Sequence, residues 1–345
     1  MKKTISNGEL SLFCYQLHIV LKSGLPLVDS MDIIKSEIKN EELVVVAGDI
    51  STKISKGEKF SDSLKTHDIF PSYFLNMVDI AEKTGNLEEQ TLILSKHYEE
   101  RAKTEKKINN AVFYPVILLL MMLGVVVFLV TLVIPMFSKV LNSVGVEVPP
   151  ATKTILSLGL FLQNYGLFIL VGIGLLVLFL IVYSNSDKGR VAFDKLKLSL
   201  PVFGELNKKI ITSNFSNAMT MMINAGMHLQ ESLPLIKGTL ENAYVDEKLE
   251  ALLDEHKTSS LSELVEDLDV FPTLFKRIIT LGEKSGELEA SFEKTSAIYK
   301  EDVDRSIHRI TSSIEPVLVI ILSVIVGVIL LSVMIPLINI ISEIG

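Results

Sequence analysis

Three long stretches without a charged side chain constrain this chain of 345 residues more than any other feature. Asp, Glu, Lys and Arg are absent from residues 108–138, 154–186 and 316–342. Each stretch holds enough consecutive apolar residues to cross, as a helix, a hydrocarbon core about 30 Å thick. We therefore expect an integral membrane protein with three transmembrane helices, at residues 113–136, 164–183 and 315–338.

Cationic side chains indicate on which side of the membrane each flank lies, because cytoplasmic loops carry an excess of Lys and Arg. The flanks before the first span, after the second and before the third are rich in both, whereas the loop between the first two spans has only Lys139 and Lys153. The predicted topology therefore has two cytoplasmic segments, 1–112 and 184–314, and two external segments, the loop 137–163 and the short tail 339–345.

The two predicted cytoplasmic segments repeat one another. Residues 70–98 and 271–299 align at an offset of 201 with 10 identities in 29 positions, and the same offset places Pro115 on Pro316. Nearer the domain starts, an offset of 202 restores the match. Similarity over this length indicates a duplicated structural unit. Each unit is a cytoplasmic domain followed by one span, and we call residues 1–136 repeat 1 and residues 184–338 repeat 2.

The second span belongs to neither repeat. One span per repeat would leave the second domain outside the cell, and the additional crossing returns it to the cytoplasm. Both domains then face the same side, which argues against an inverted-repeat transporter, whose two halves face opposite sides.

The strongest match between the repeats is a turn, AEKTGNLEE in repeat 1 and GEKSGELEA in repeat 2. Helically spaced apolar residues precede it, and Gly85 and Gly286 suit the residue just after a helix, where φ is positive. Pro71 and Pro272 suit the first position of the helix before the turn. Alternating strand patterns are absent from the sequence. We expect an all-α fold with two homologous helical bundles joined to the membrane helices.

Four further prolines lie at or near the predicted membrane boundaries. Pro115 and Pro316 stand where each repeat enters the membrane, and a proline inside a helix commonly bends it. We expect a kink or hinge at both positions. Pro135 and Pro336 are expected to end their spans.

The sequence lacks the usual signatures of enzymes and of cofactor sites. It contains no G-x-x-x-x-G-K-[ST] loop, no H-E-x-x-H spacing and no G-x-S-x-G elbow. Cys14, the single cysteine, lies in an apolar helical pattern and is expected to be a buried hydrophobe. A net charge of −8 disfavours contact with nucleic acid. We therefore expect no catalytic residue, no cofactor, no bound metal and no direct nucleic-acid partner.

Charged residues at the repeated turn are the best candidates for a functional site. They are Glu82, Lys83, Glu283 and Lys284, with Gly85 and Gly286 just behind them. In one interpretation they hold the helix–turn–helix together and pair with neighbouring charges. In the other they contact a cytoplasmic partner, or their carboxylates hold a divalent cation. The sequence leaves both interpretations open.

Several segments together resemble the type II secretion system protein F family, which includes the PilC-type platform proteins of type IV pili and competence pseudopili. The matching segments are AEKTGNLEE, NNAVFYPV, LVIPMFSKVLNSVGVEVPPATKTIL, LPVFGEL, MMINAGMHLQESL, GEKSGELE, IEPVLVI and IPLINII. They cover about residues 10–338, and their order and spacing are more specific than any single motif.

This resemblance implies two six-helix cytoplasmic bundles, three spans and a homo-oligomer in the lipid bilayer of the cytoplasmic (inner) membrane. It implies a platform that couples a hexameric assembly ATPase to the polymerisation of pilin-like subunits, alongside other membrane components of the machine. Many members have an extra N-terminal segment. About ten residues precede the first bundle here, as in the shorter competence-pilus versions of Gram-positive bacteria, which argues against an N-terminal docking site.

Two other classes of function stay open at this stage. A membrane scaffold or receptor for an unrelated cytoplasmic complex would have the same architecture. A transporter is disfavoured because an ion or proton pathway normally requires ionisable side chains within the spans.

Overall fold

A computed structural model describes residues 5–38, 40–136, 139, 150–184, 186–255 and 260–344. These residues form helices and connecting loops without a β-strand, which confirms the all-α prediction. The chain divides into two compact units: unit 1 is Met1–Lys107 with Arg190–Ser306, and unit 2 is Ile108–Gly189 with Ile307–Gly345. The predicted external loop 137–163 lies partly outside the described residues.

The helices of the two repeats follow one another in the same order. The described part of repeat 1 comprises α1 (Asn7–Lys22), α2 (Leu27–Glu37), α3 (Glu41–Ser55), α4 (Phe60–Lys65), α5 (Ser72–Thr84) and α6 (Leu87–Phe128), which a π-helical turn (Leu129–Val133) extends. Next come α7 (Pro150–Ser184) and α8 (Asp187–Ser199). Repeat 2 continues with α9 (Phe203–Asn224), α10 (Leu229–Leu235), α11 (Ala243–Glu255), α12 (Leu261–Asp267), α13 (Thr273–Ser285) and α14 (Leu288–Ile344).

Local sequence accounts for several helix starts. Ser6 and Glu9 form a capping box at α1, in which each side chain bonds the backbone N–H of the other residue. The Asn40 side chain accepts the N–H groups of the second and third residues of α3. Ser260 caps α12 by accepting the N–H of Glu263. These caps satisfy backbone donors that have no partner inside their own helix.

The same aromatic cluster forms the core of each repeat within unit 1. In repeat 1, Phe70 lies 6.0 Å from Phe13 and 5.2 Å from Phe74, measured between ring centroids. The equivalent rings of repeat 2 are Phe215, Phe271 and Phe275. All six side chains are buried. Burying one phenylalanine stabilises the fold by roughly 1.5–3 kcal/mol, and ring pairs at such distances add to this.

Two helices among the described residues are long and apolar enough to cross a membrane, Leu87–Met136 and Leu288–Leu331. Large apolar side chains cover their outer surface in unit 2, and among the residues described there Val130, Ile134 and Ile329 form a small buried cluster. The span predicted at 164–183 falls inside α7, whose side chains are described only in part. It stays a prediction.

The long helices continue past the prolines that they contain. α6 contains Pro115 and continues through it. α14 passes through both Pro316 and Pro336 and ends at Ile344. That Pro336 ends the membrane span stays a prediction, because a helix can continue beyond the bilayer. A proline removes one backbone donor, but the donors that follow it can still bond the carbonyls of the preceding turn. Hinge motion at Pro115 and Pro316 remains a prediction.

The aromatic cluster gives a first test. We expect Phe275→Ala to lower the free energy of unfolding by about 3–5 kcal/mol, because it leaves a cavity where three rings now pack. Val45→Ala shortens an exposed side chain and should change the free energy of unfolding by less than about 0.5 kcal/mol. Thermal unfolding of the purified protein in detergent measures both variants. Equal melting temperatures would contradict the assigned core.

Candidate functional site: the repeated glutamate turn

The repeated turn connects α5 to α6 and α13 to α14. Gly85 has φ 73° and Gly286 has φ 75°, the left-handed conformation that the sequence predicts for both. The next residue in each repeat closes the helix: Asn86 N–H donates to the Ala81 carbonyl, as Glu287 N–H does to the Gly282 carbonyl. A Cβ atom on either turn glycine would meet no neighbour within 4 Å. Glycine is therefore favoured here by the positive φ of the backbone and not by a lack of space for a side chain.

The prolines that begin α5 and α13 lie one residue earlier than predicted. Pro71 and Pro272 are N-cap residues, with ψ of 144° and 150°, and the first helical residues are Ser72 and Thr273. An N-cap residue keeps an extended ψ while its carbonyl accepts the first bond of the helix, and the ring of proline is compatible with that conformation.

Glu82 and Glu283 have the same structural role in the two repeats. The Glu82 carboxylate accepts the backbone N–H groups of Phe60 and Ser61, at 2.8 and 2.9 Å. In repeat 2, the N–H groups of Leu261 and Ser262 donate to Glu283 at 2.7 and 3.0 Å. The donors are the first two residues of α4 and α12, whose N–H groups have no acceptor within their own helix. Each glutamate therefore caps a neighbouring helix from a distance in sequence, and its charge suits that helix end.

Hydrogen bonding controls the ionisation of Glu283. Its partial burial alone would raise its pKa, but the hydrogen bonds from Ser262 and Leu261 outweigh this effect and lower the pKa below the ordinary value of 4.5. Bonds that favour the carboxylate form have this effect generally. The cap consequently stabilises the fold above the pKa of the unfolded chain, and that stabilisation is lost as the pH falls through the folded-state pKa.

The lysines beside the glutamates behave differently in the two repeats. Lys83 is exposed and donates to Asp79 at 2.8 Å, and Lys65 approaches the same carboxylate at 3.4 Å. The equivalent of Asp79 in repeat 2 is Thr280, whose hydroxyl donates to the Lys276 carbonyl. The lysine of repeat 2 is exposed beside this uncharged residue. The Glu–Lys pair thus divides into an inward glutamate, which is structural, and an outward lysine at the tip of the turn.

The arrangement at the turn does not favour a cation. Both carboxylate oxygens of Glu82, and both of Glu283, already accept a backbone N–H group. Among the described residues no group of three or more His, Cys, Asp or Glu side chains is placed to hold a metal ion. A hard cation would need several such oxygen ligands.

A second set of contacts, which the sequence did not reveal, joins the two repeats inside unit 1. Tyr73 donates its hydroxyl to the sulfur of Met221 at 3.4 Å, and Asn217 bonds the buried His97 at 2.8 Å. Arg101 pairs with Glu241 at 3.0 Å and donates to a neighbouring carbonyl. The available signal was a difference between the repeats. Tyr73, His97 and Arg101 correspond to Leu274, Ile298 and Asp302, although the residues around them match.

These observations first define a class: a duplicated α-helical protein with a helix-capping glutamate in each repeat and apolar helices suited to a membrane. A model of the family described as "Type II secretion system (T2SS), protein F" matches the chain twice, over residues 13–135 and 215–336. The two matches begin 202 residues apart and end 201 apart, which are the two offsets of the repeat. The chain belongs to this family and is a membrane protein.

Characterised relatives resemble the chain over nearly its full length. The type IV pilus assembly protein PilC of Thermus thermophilus is 31% identical over 340 residues, which cover 98% of this chain and 84% of the relative. PilC of Pseudomonas aeruginosa is 27% identical over 99% of this chain and 92% of its own length. The type II secretion system protein F of Vibrio cholerae is 27% identical, covering 86% and 73% respectively.

The glutamate cap can be tested by removing its charge. We expect Glu283→Gln to lower the free energy of unfolding by about 1–2 kcal/mol at neutral pH, because an amide offers one acceptor where the carboxylate offers two. Below the folded-state pKa the wild-type carboxyl is itself protonated, so the difference between the two proteins should shrink in acid. Thermal unfolding of both proteins at about pH 7 and about pH 3 measures this difference in stability.

The matched control is Glu293→Gln, an exposed glutamate further along the same region, which should have little effect at either pH. A Glu283→Gln penalty that stays constant with pH would contradict a charge-dependent cap.

Proposed function

We propose that the chain is a non-enzymatic platform protein in the cytoplasmic membrane of a type IV pilus, competence pseudopilus or type II secretion machine. The observation that carries the proposal is the double match to the protein F family, one match per repeat. The names of the relatives, pilus assembly protein and secretion system protein, support the same setting. The absence of enzyme motifs from the sequence is consistent with a structural role.

In this proposal both helical domains, 1–112 and 184–314, lie in the cytoplasm, and the chain crosses the membrane three times. The cationic flanks of the spans support that topology. A span that belongs to neither repeat explains how two domains of one design reach the same side. The chain would act as a homo-oligomer, and its external segments would be the loop 137–163 and the tail 339–345.

The energy for assembly would come from a partner, a hexameric assembly ATPase, and the product would be a fibre of pilin-like subunits. Since Glu82 and Glu283 face inward and cap helices, they are unsuited to partner contact. The exposed Lys83 and Lys284, at the tips of the two turns, are the better contact residues. Each is followed by an exposed glycine turn that presents it to a partner.

A pull-down from native membranes in mild detergent tests both parts of the proposal. We expect the tagged wild-type protein to retain an assembly ATPase and pilin-like proteins, identified by mass spectrometry. Lys83→Glu with Lys284→Glu should reduce the retained ATPase by about tenfold or more, since reversing two charges introduces repulsion at the contact. Lys96→Glu reverses an exposed charge away from the turns and should leave the amount of retained ATPase unchanged.

Each other outcome has a definite meaning. Undiminished ATPase binding by a stably inserted double variant would remove the turn lysines as the contact site. Retention of an unrelated cytoplasmic complex by the wild-type protein, without ATPase or pilins, would favour the scaffold or receptor alternative. Solute flux through vesicles reconstituted with the purified protein would favour a transporter.

A further inference from the structure

The contact between the two repeats in unit 1 is asymmetric, because the two repeats contribute non-equivalent surfaces. Repeat 1 contributes its α5–α6 face, which we define by Ser72, Tyr73, His97 and Arg101. Repeat 2 contributes its α9–α10 face, defined by Asn217, Met221 and the segment 237–241. Tyr73 meets Met221, His97 meets Asn217, and Ser72 donates to the Lys237 carbonyl at 3.5 Å. Each repeat therefore uses a different surface.

Repeat 2 has its own version of the α5–α6 face, and this version is uncovered. We call it the α13–α14 face, defined by the exposed Leu274 and Leu281 and the half-buried Ile298. Leu274 is 52% exposed, whereas its equivalent Tyr73 is 1% exposed beneath repeat 2. Leu281 is 67% exposed. Two large apolar side chains, two turns apart on one side of α13, are thus left facing solvent.

Repeat 1 likewise has an uncovered version of the α9–α10 face. We call it the α1–α2 face, defined by Leu12, Tyr15, Ile19 and Ile33. All four side chains are exposed, and the first three follow one another at helical spacing along α1. Ile19 is 48% exposed, whereas its equivalent Met221 is 6% exposed beneath repeat 1. A contiguous exposed apolar stripe is typical of a contact surface.

The pattern excludes a two-fold relation between the repeats. Under a two-fold axis, Leu274 would cover Ile19 just as Tyr73 covers Met221, and both would be buried. Both are exposed, so the internal contact is heterologous, which means that one surface meets a different surface. Each repeat therefore has one of the two contact surfaces left uncovered. The two unused surfaces stand at equivalent positions, and apolar contact of Leu274 with Ile19 would take the place of the Tyr73–Met221 contact inside the chain.

We propose that a second molecule of this chain covers these faces, head to tail: the α13–α14 face of one molecule packs on the α1–α2 face of the next. Charge supports this occupant. Exposed cations, Arg277 and Lys284, flank the leucines of α13, and exposed carboxylates, Asp29 and Glu37, lie one helical turn before and after Ile33 on α2. Opposite charges around apolar centres favour this pairing over the association of like faces.

This interface deepens the homo-oligomer of the proposed function but depends only on the fold of unit 1. A heterologous contact closes into a ring if its rotation divides a full turn, and otherwise continues as a filament. Every molecule contributes two repeats, so the assembly would alternate internal contacts with contacts between molecules.

Disulfide cross-linking in native membranes tests the interface. Ile19→Cys and Leu274→Cys together place thiols at the equivalents of Met221 and Tyr73, which touch inside the chain. The native Cys14 does not interfere, because it is buried and its burial raises the pKa of its thiol. Mild oxidation should give covalent dimers and larger species, at about fivefold or more above a Val45→Cys, Leu274→Cys control. Val45 is 72% exposed on α3, a helix that contributes to neither face.

Single variants separate the possible symmetries. A heterologous contact predicts little cross-linking by Ile19→Cys or Leu274→Cys alone, but a dimer without larger species when the two are co-expressed. Efficient dimers from either single variant would indicate like-to-like association and overturn the proposal. So would a double variant that cross-links no more than its control, or only within one molecule. An ATPase pull-down from the same membranes shows whether the platform role stands when this interface fails.

Discussion

One long helix in each repeat must satisfy two environments, and the rest of the structure follows from this constraint. α6 and α14 begin at the repeated turn inside unit 1, among shorter helices, and continue into stretches with exposed apolar side chains, within 112–128 and 317–338. A lipid bilayer removes such apolar surface from water. An unbroken helix suits both environments, because its backbone groups are satisfied internally wherever it lies. At about 1.5 Å per residue, the 42 residues of α6 span about 63 Å.

Features with local causes were predictable from the sequence. The charge-free stretches, the helical class, the duplication and the left-handed glycines depend on composition, periodicity or the backbone preference of one residue. Gly85 and Gly286 show this clearly, because only φ, and no neighbouring atom, restricts them. The helix of α14 continues past Pro336, because a proline affects one backbone bond and leaves the later bonds free to form.

Features with tertiary causes were not predictable. The partners of Glu82 are backbone N–H groups 21 and 22 residues earlier, and backbone groups leave no mark on the sequence. A strongly matched Glu–Lys pair therefore suggested a surface site, although the glutamate faces inward. The contact of Tyr73 with Met221 joins residues 148 apart, and only comparison of the two repeats, once their packing is known, shows its meaning. Duplication made one surface internal and left its equivalent exposed.

The glutamate caps have a consequence for how the two repeats can diverge. Each carboxylate recognises backbone N–H groups, so it restricts its own position and places almost no demand on the side chains of the helix it holds. The first six residues of α4 and α12, FSDSLK and LSELVE, accordingly share one serine. Lys65 on the first corresponds to Glu266 on the second, an inversion of charge on an exposed position. Mutations can thus change the exposed side chains of α4 and α12 independently, while the backbone contacts that hold the two helices stay the same.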